Sequence, residues 1–172
     1  MATVVFADAP DVVEDWLKQR RALGQDRFDE VWEGVYHVVP GPDGPHGRTD
    51  YQLHIVLGPR VRAAGLHGSG PLNIGKAGDF RVPDGAYLRS ARPALYNPTA
   101  AIVVEVVSPG DESRRKLDFY FDAGVEELLI VDPRGRTVEW FTRGDGSFEP
   151  APGSSLLGVS AEELAAELDW PV

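Results

Sequence analysis

The run from Ala101 to Val107, ended by Ser108-Pro109-Gly110, constrains this chain more than any other segment. It is apolar and rich in β-branched residues, so it reads as a buried strand. Glu105 stands inside it. A carboxylate in such a place loses its hydration and must be paired, protonated or bound to a metal. Asp84 follows Val82-Pro83 within another strand-like run, Phe80 to Leu88, and Lys116 lies downstream in Arg114-Arg115-Lys116. The fold must therefore explain one buried carboxylate, and Asp84 and Lys116 are its candidate partners.

Composition narrows the classes. The chain has 172 residues, enough for one domain with a real core, and one domain spanning residues 1–172 is expected. With 42% hydrophobic and 26% charged residues it reads as a soluble globular protein. No apolar run approaches the roughly 20 residues that span a bilayer. The N-terminus lacks a basic segment followed by a long apolar one, so no secretory leader is expected. Cysteine is absent, which excludes disulfides, zinc–thiolate centres and cysteine nucleophiles and makes the cytoplasm the expected location. The formal net charge of −10 argues against a broad nucleic-acid-binding surface but permits a cation site. Any DNA contact would come from a local basic patch drawn from Arg60, Arg62, Arg89, Arg92, Arg114, Arg115 and Lys116.

The expected elements run as follows. Asp11 to Leu23 reads as a helix stopped by Gly24, and Phe28 to Val39 as a hairpin turning near Glu33-Gly34. Pro40 to Gly47 reads as a loop, and Arg48 to Ala64 as a helix kinked or broken at Gly58-Pro59. Leu72 to Ile74 and Phe80 to Leu88 are strand candidates, with Ser90 to Pro98 a loop. Ser113 to Ala123 has an apolar stripe at Leu117, Tyr120, Phe121 and Gly124 and reads as a helix. Glu127 to Val131 and Thr137 to Thr142 read as strands joined at Asp132-Pro133-Arg134-Gly135. Ser160-Ala161-Glu162-Glu163 is a capping box opening a last helix to about Leu168. This order predicts an α/β or α+β domain with a central mixed sheet. The helix after the Glu105 strand would be a right-handed crossover to a parallel neighbour.

If the strands ending at Asp84 and carrying Glu105 are neighbours, the two carboxylates face each other across about 5 Å. They then repel unless a proton or a cation lies between them. A hard divalent cation such as Mg²⁺ suits oxygen ligands and keeps several waters. Lys116, near the start of the next helix, could point back at the pair and orient a water or stabilise charge on a phosphate. Each residue also has an ordinary reading: a structural ion pair for Glu105, a turn residue for Asp84 and a solvated helix face for Lys116.

Val82-Pro83-Asp84-Gly85-Ala86-Tyr87, Val104-Glu105-Val106-Val107-Ser108-Pro109, Lys116-Leu117 with Tyr120, Ala123-Gly124-Val125-Glu126-Glu127 and Ile130-Val131-Asp132-Pro133 follow one pattern in order. The chain resembles the Uma-two family, a bacterial group within the PD-(D/E)xK nuclease superfamily, from about Glu14 to Phe141. The resemblance implies a restriction-endonuclease-like core, a mixed sheet flanked by helices. It also implies metal-dependent hydrolysis of phosphodiester bonds in DNA, with Asp84 and Glu105 as ligands of Mg²⁺ or Mn²⁺. The superfamily's Glu-x-Lys lysine is replaced by Val107, and Lys116 stands where a lysine migrated to the next helix would be. Glu30, in Asp29-Glu30-Val31-Trp32-Glu33-Gly34, matches a glutamate-bearing strand-turn and is a candidate further acid of the site. A surface charge on a hairpin is its ordinary reading. His46 matches a histidine before the second helix and is a candidate for phosphate contact or proton transfer, against the ordinary reading of an exposed loop residue. Tyr120 is read as packing and Asp132 as a turn former.

Three functions remain open at this point. The first is a Mg²⁺-dependent DNA endonuclease using Asp84, Glu105, Lys116 and Glu30. The second is a catalytically inactive binding or scaffold protein on the same fold. The third is a metal-dependent phosphoesterase for a smaller substrate. A homodimer is expected only insofar as cutting two strands favours one.

Overall fold

The structure, a computed structural model, describes residues 4–6, 11–110 and 112–171. The N-terminal stretch that bears on a leader lies largely outside the described residues. The fold is mixed α+β, with four α-helices and mixed sheets among the described residues. In chain order the elements are β1 (Val4–Phe6), α1 (Asp11–Ala22), β2 (Glu30–Trp32), β3 (Val35–Val38), α2 (Gly44–Ala63), β4 (His67–Ser69), β5 (Asn73–Lys76), β6 (Asp79–Arg81) and β7 (Gly85–Leu88). There follow β8 (Tyr96–Asn97), β9 (Ile102–Val106), a 3₁₀ turn (Ser113–Lys116), α3 (Leu117–Asp122), β10 (Glu127–Asp132), β11 (Thr137–Arg143), β12 (Phe148–Ala151), β13 (Gly153–Ser154), β14 (Val159–Ser160) and α4 (Ala161–Glu167).

Two six-stranded sheets form the framework. The first has the order β1-β3-β2-β6-β5-β8 and the second β12-β11-β10-β9-β7-β4. The expected mixed sheet is the second: β9 and β10 are parallel, joined by the α3 crossover, and the other pairs are antiparallel. All five residues of β9 are buried, which is why its sequence is apolar apart from Glu105 rather than alternating. Ile102, Val104 and Val106 pack on Leu53, Leu57 and Val61 of α2 and on Leu164 of α4. Val103 faces the opposite side with Tyr120, Leu128 and Ile130, and Glu105 shares that side by the two-residue period of a strand.

Three expectations are corrected. Phe80 to Leu88 is not one strand. It divides at Val82-Pro83-Asp84, so β6 belongs to the first sheet and β7 to the second. Pro83 has no N–H to donate to a ladder, and the Val82 N–H is taken by the Glu30 carboxylate at 2.9 Å. Second, α2 begins at Gly44, inside the expected loop. Asp43 caps it by accepting from the His46 N–H at 3.0 Å, and Pro45 sits in the first turn, where a missing N–H costs nothing. Third, α2 continues through Pro59 to Ala63 without a break. Its buried stripe of Leu53, Leu57 and Val61 against β9 and β7 outweighs the lost hydrogen bond. The hairpin turn falls where expected, with Glu33 and Gly34 at φ of 51° and 87°, consecutive positive values that suit a type I′ turn.

The last helix starts on the expected capping box. The Ser160 side chain accepts from the Glu163 N–H at 3.0 Å and the Glu163 carboxylate accepts from the Ser160 N–H at 2.8 Å. Replacing Ser160 with Ala should lower stability by about 1 kcal/mol in urea denaturation, with no change in the dependence on denaturant.

Candidate functional site

The site lies where the two sheets meet. The β7–β9 register sets Gly85 opposite Val104, and Asp84, just before β7, reaches the β9 backbone one residue past Glu105 by accepting from the Val106 N–H. The neighbour relation expected from the sequence is present. Gly85 keeps this corner open: a Cβ there would stand 3.2 Å from the His54 ring of α2, so the helix can lie close to β7.

Glu105 is 3% exposed and surrounded by donors. The Lys116 ammonium reaches its two oxygens at 3.2 and 3.3 Å. The Tyr120 hydroxyl donates to Oε1 at 2.5 Å, and the Ser113 hydroxyl lies 3.5 Å from Oε2. Tyr120 is thus more than the packing residue expected, because its ring fills the core while its hydroxyl meets Glu105. Lys116 and Tyr120 are one helical turn apart, the only sequence signal that both could reach one acceptor. Lys116 is buried rather than on a solvated face, and its ammonium also pairs with Glu30 Oε1 at 2.8 Å. Glu30 is 2% exposed, so the hairpin carries it inward and not to the surface. Its Oε1 also accepts from the Val82 N–H, and its Oε2 from the Trp32 indole N–H at 2.7 Å.

Asp84 accepts from the Val106 N–H at 2.7 Å through Oδ2. Its Oδ1 stands 2.8 Å from Nε2 of His46, whose Nδ1 is 2.8 Å from the Ser108 hydroxyl. His46 is therefore a buried residue of the first turn of α2, not an exposed loop residue. One turn on, Asp50 pairs with His54 at 3.5 Å, a neighbour of Asp84 that sequence reasoning missed. Glu30, His46, Asp84, Glu105, Ser108 and Lys116 all line one cleft of about 120 Å³. Asp132 stays outside it and accepts from the Arg134 and Gly135 N–H groups, the turn role expected of it.

Electrostatics follow from one ammonium facing three carboxylates. Burial pushes the Glu105 carboxyl up to about 8; Lys116 opposes the shift, while Asp84 and Glu30 add to it. Burial alone would weaken the Lys116 charge, but Glu105 and Glu30 hold its pKa above the ordinary lysine value. Burial and the neighbouring carboxylates raise the Tyr120 hydroxyl well above the usual phenol range, so it remains a donor. Burial would lower His46, but the hydrogen bond and charge of Asp84 raise it above the usual histidine value.

A cation that took the place of the Glu105 proton would face three carboxylates against one ammonium, a surplus of negative charge that suits it. Among the described residues no three His, Cys, Asp or Glu side chains stand close enough to cage an ion by themselves. The donor set is two carboxylates lining one cleft, Glu105 in β9 and Asp84 in the bend just before β7. That set fits a hard divalent ion completing its shell with water, as Mg²⁺ does.

The basic residues considered for a DNA-facing patch are mostly engaged. Arg60 pairs with Glu167 and Arg89 with Glu126, each at 2.7 Å, Arg114 pairs with Glu139, and Arg115 with Glu112. Exposed pairs of this kind are worth about 0–1 kcal/mol.

A family model described as Uma2, putative restriction endonuclease, matches residues 13–172. No curated protein matches the chain. Among solved structures, the chain is similar to a crystal structure of a putative nuclease belonging to DUF820 from Anabaena variabilis. The two share 17% identity with a TM-score of 0.65, over 81% of this chain and 90% of that chain. At that identity the likeness concerns the fold.

The raised Glu105 pKa carries a sign that can be measured. Between those two values, and with no cation bound, Glu105 keeps a proton that the unfolded chain, with an ordinary value of 4.5, has released. Its contribution is present at low pH and lost as pH rises towards about 8. In chelator, the melting temperature should fall between pH 5 and pH 8.5. Glu105→Gln, which keeps a neutral side chain, should flatten that fall. An equal fall in both proteins would contradict the assignment.

Proposed function

The chain belongs to the Uma2 (Uma-two) family of putative restriction endonucleases, and from that membership we propose that it is a metal-dependent nuclease hydrolysing phosphodiester bonds of DNA in the Asp84–Glu105–Lys116 cleft. The observation that carries this reading is the convergence of the Asp84 and Glu105 carboxylates and one buried ammonium at the wall of an open cleft. Asp84 and Glu105 would hold the cation, Mg²⁺ or Mn²⁺. When bound, it would polarise a phosphate oxygen and acidify water. Lys116 carries fixed positive charge beside the carboxylates, suited to orienting a water for attack on phosphorus and to offsetting the charge that builds on the phosphate. Glu30, with both oxygens occupied by donors, holds Lys116 in place. His46, with both ring nitrogens engaged, lines the cleft and orients Asp84.

Hydrolysis of a smaller phosphoester at the same residues is a second reading, favoured by the pairing of Arg60, Arg89, Arg114 and Arg115 with carboxylates. The test is supercoiled plasmid incubated with Mg²⁺ or Mn²⁺, beside bis-p-nitrophenyl phosphate. The nuclease reading expects nicked or linear plasmid, abolished in Glu105→Ala. Lys116→Met should slow cleavage by about 10²–10³-fold, the usual loss for one preorganised electrostatic group. Turnover of the small ester without plasmid cleavage would favour the second reading. No turnover of either, together with no calorimetric binding of Mn²⁺, would overturn both.

A further inference from the structure

We propose that Tyr120 is a positioning residue for the cation site: its hydroxyl sets which oxygen of Glu105 faces the cleft, and it does so without adding positive charge. The inference rests on the reading of Asp84 and Glu105 as cation ligands.

Tyr120 is fully buried, its ring packed among Ile74, Ala86, Val103, Val125, Leu128 and Ile130. Glu105 lines the cleft, whereas Tyr120 does not, so Tyr120 reaches the chemistry only through Glu105. The two donors on that carboxylate act differently. Lys116 sits almost midway between the oxygens, at 3.2 and 3.3 Å. An ammonium is a point charge with rotatable donors and imposes little direction on a carboxylate. The phenol does impose direction. Its 2.5 Å contact claims Oε1 alone and breaks the near-symmetry left by Lys116. Among the described residues, Oε2 keeps Lys116 and the long 3.5 Å approach of Ser113. The oxygen with the weaker set of donors is therefore the one left for an external ligand.

The charge argument runs the same way. A second lysine at this position would neutralise the surplus that attracts a cation. A phenol satisfies a buried lone pair and leaves the surplus intact. Partners of this kind behind metal-ligating side chains typically change metal affinity or activity by 10–100-fold when removed.

The experiment is calorimetric titration with Mn²⁺ of the wild-type protein, Tyr120→Phe and Val125→Ala, each with a melting curve. Tyr120→Phe keeps the ring and should weaken Mn²⁺ binding roughly ten- to a hundredfold. Its plasmid cleavage should need more Mn²⁺ for half-maximal rate and recover at saturating Mn²⁺. Val125→Ala opens a gap in the same apolar cluster without touching Glu105, so it should lower the melting temperature and leave the affinity unchanged. Equal affinity in Tyr120→Phe and wild type overturns the proposal. Equal weakening in Val125→Ala overturns it too, since packing alone would then account for the effect. Absence of Mn²⁺ binding by the wild-type protein instead removes the cation reading itself, and this inference with it.

Discussion

The Lys116 ammonium, buried between Glu30 and Glu105, is the interaction on which the rest depends. Glu30 belongs to the first sheet and Glu105 to the second, so one side chain ties the two sheets together at the site. Such an arrangement is expensive in isolation. Each buried ion loses several kcal/mol of hydration, and only close partners with further hydrogen bonds offset that loss. Here they are present: the Val82 and Trp32 N–H groups on Glu30, and the Tyr120 hydroxyl on Glu105. Because a lone buried charge is far worse than a paired one, the cluster is held as a unit. That gives the cleft a fixed wall without a rigid loop.

The path of the backbone supplies the rest of the geometry. At Val82-Pro83-Asp84 the chain leaves one sheet and enters the other, and Asp84 sits at that switch. Its carboxylate takes the Val106 N–H on one side and His46 on the other, so it is anchored to both β9 and α2. The early start of α2, capped by Asp43, is what brings His46 into range.

Much of the site was legible because burial makes ionisable residues conspicuous. A glutamate in an apolar run has few options, and a lysine at the head of the next helix is a natural partner. Glu30 and His46 were legible only through family resemblance, since a hairpin glutamate and a loop-like histidine carry no local signal. The polar role of Tyr120 was hidden because its ring satisfies the apolar stripe of α3 by itself. The helix was read through to Ala64, but with a kink or break expected at Gly58-Pro59, because propensity is local, whereas the packing of Leu53, Leu57 and Val61 against the sheet is not.

By itself the sequence determined the elements that carry the chemistry: the buried Glu105 strand, the crossover helix behind it, the parallel strand that follows and the capped final helix. Period, caps and turn residues act over a few positions and can be read there. Tertiary structure alone decided that Phe80 to Leu88 serves two sheets, that Lys116 faces Glu30 as well as Glu105, and which donors each carboxylate oxygen receives. These depend on strand pairing and on the desolvation of charges brought together from distant parts of the chain, and neither quantity is defined until the sheets have met.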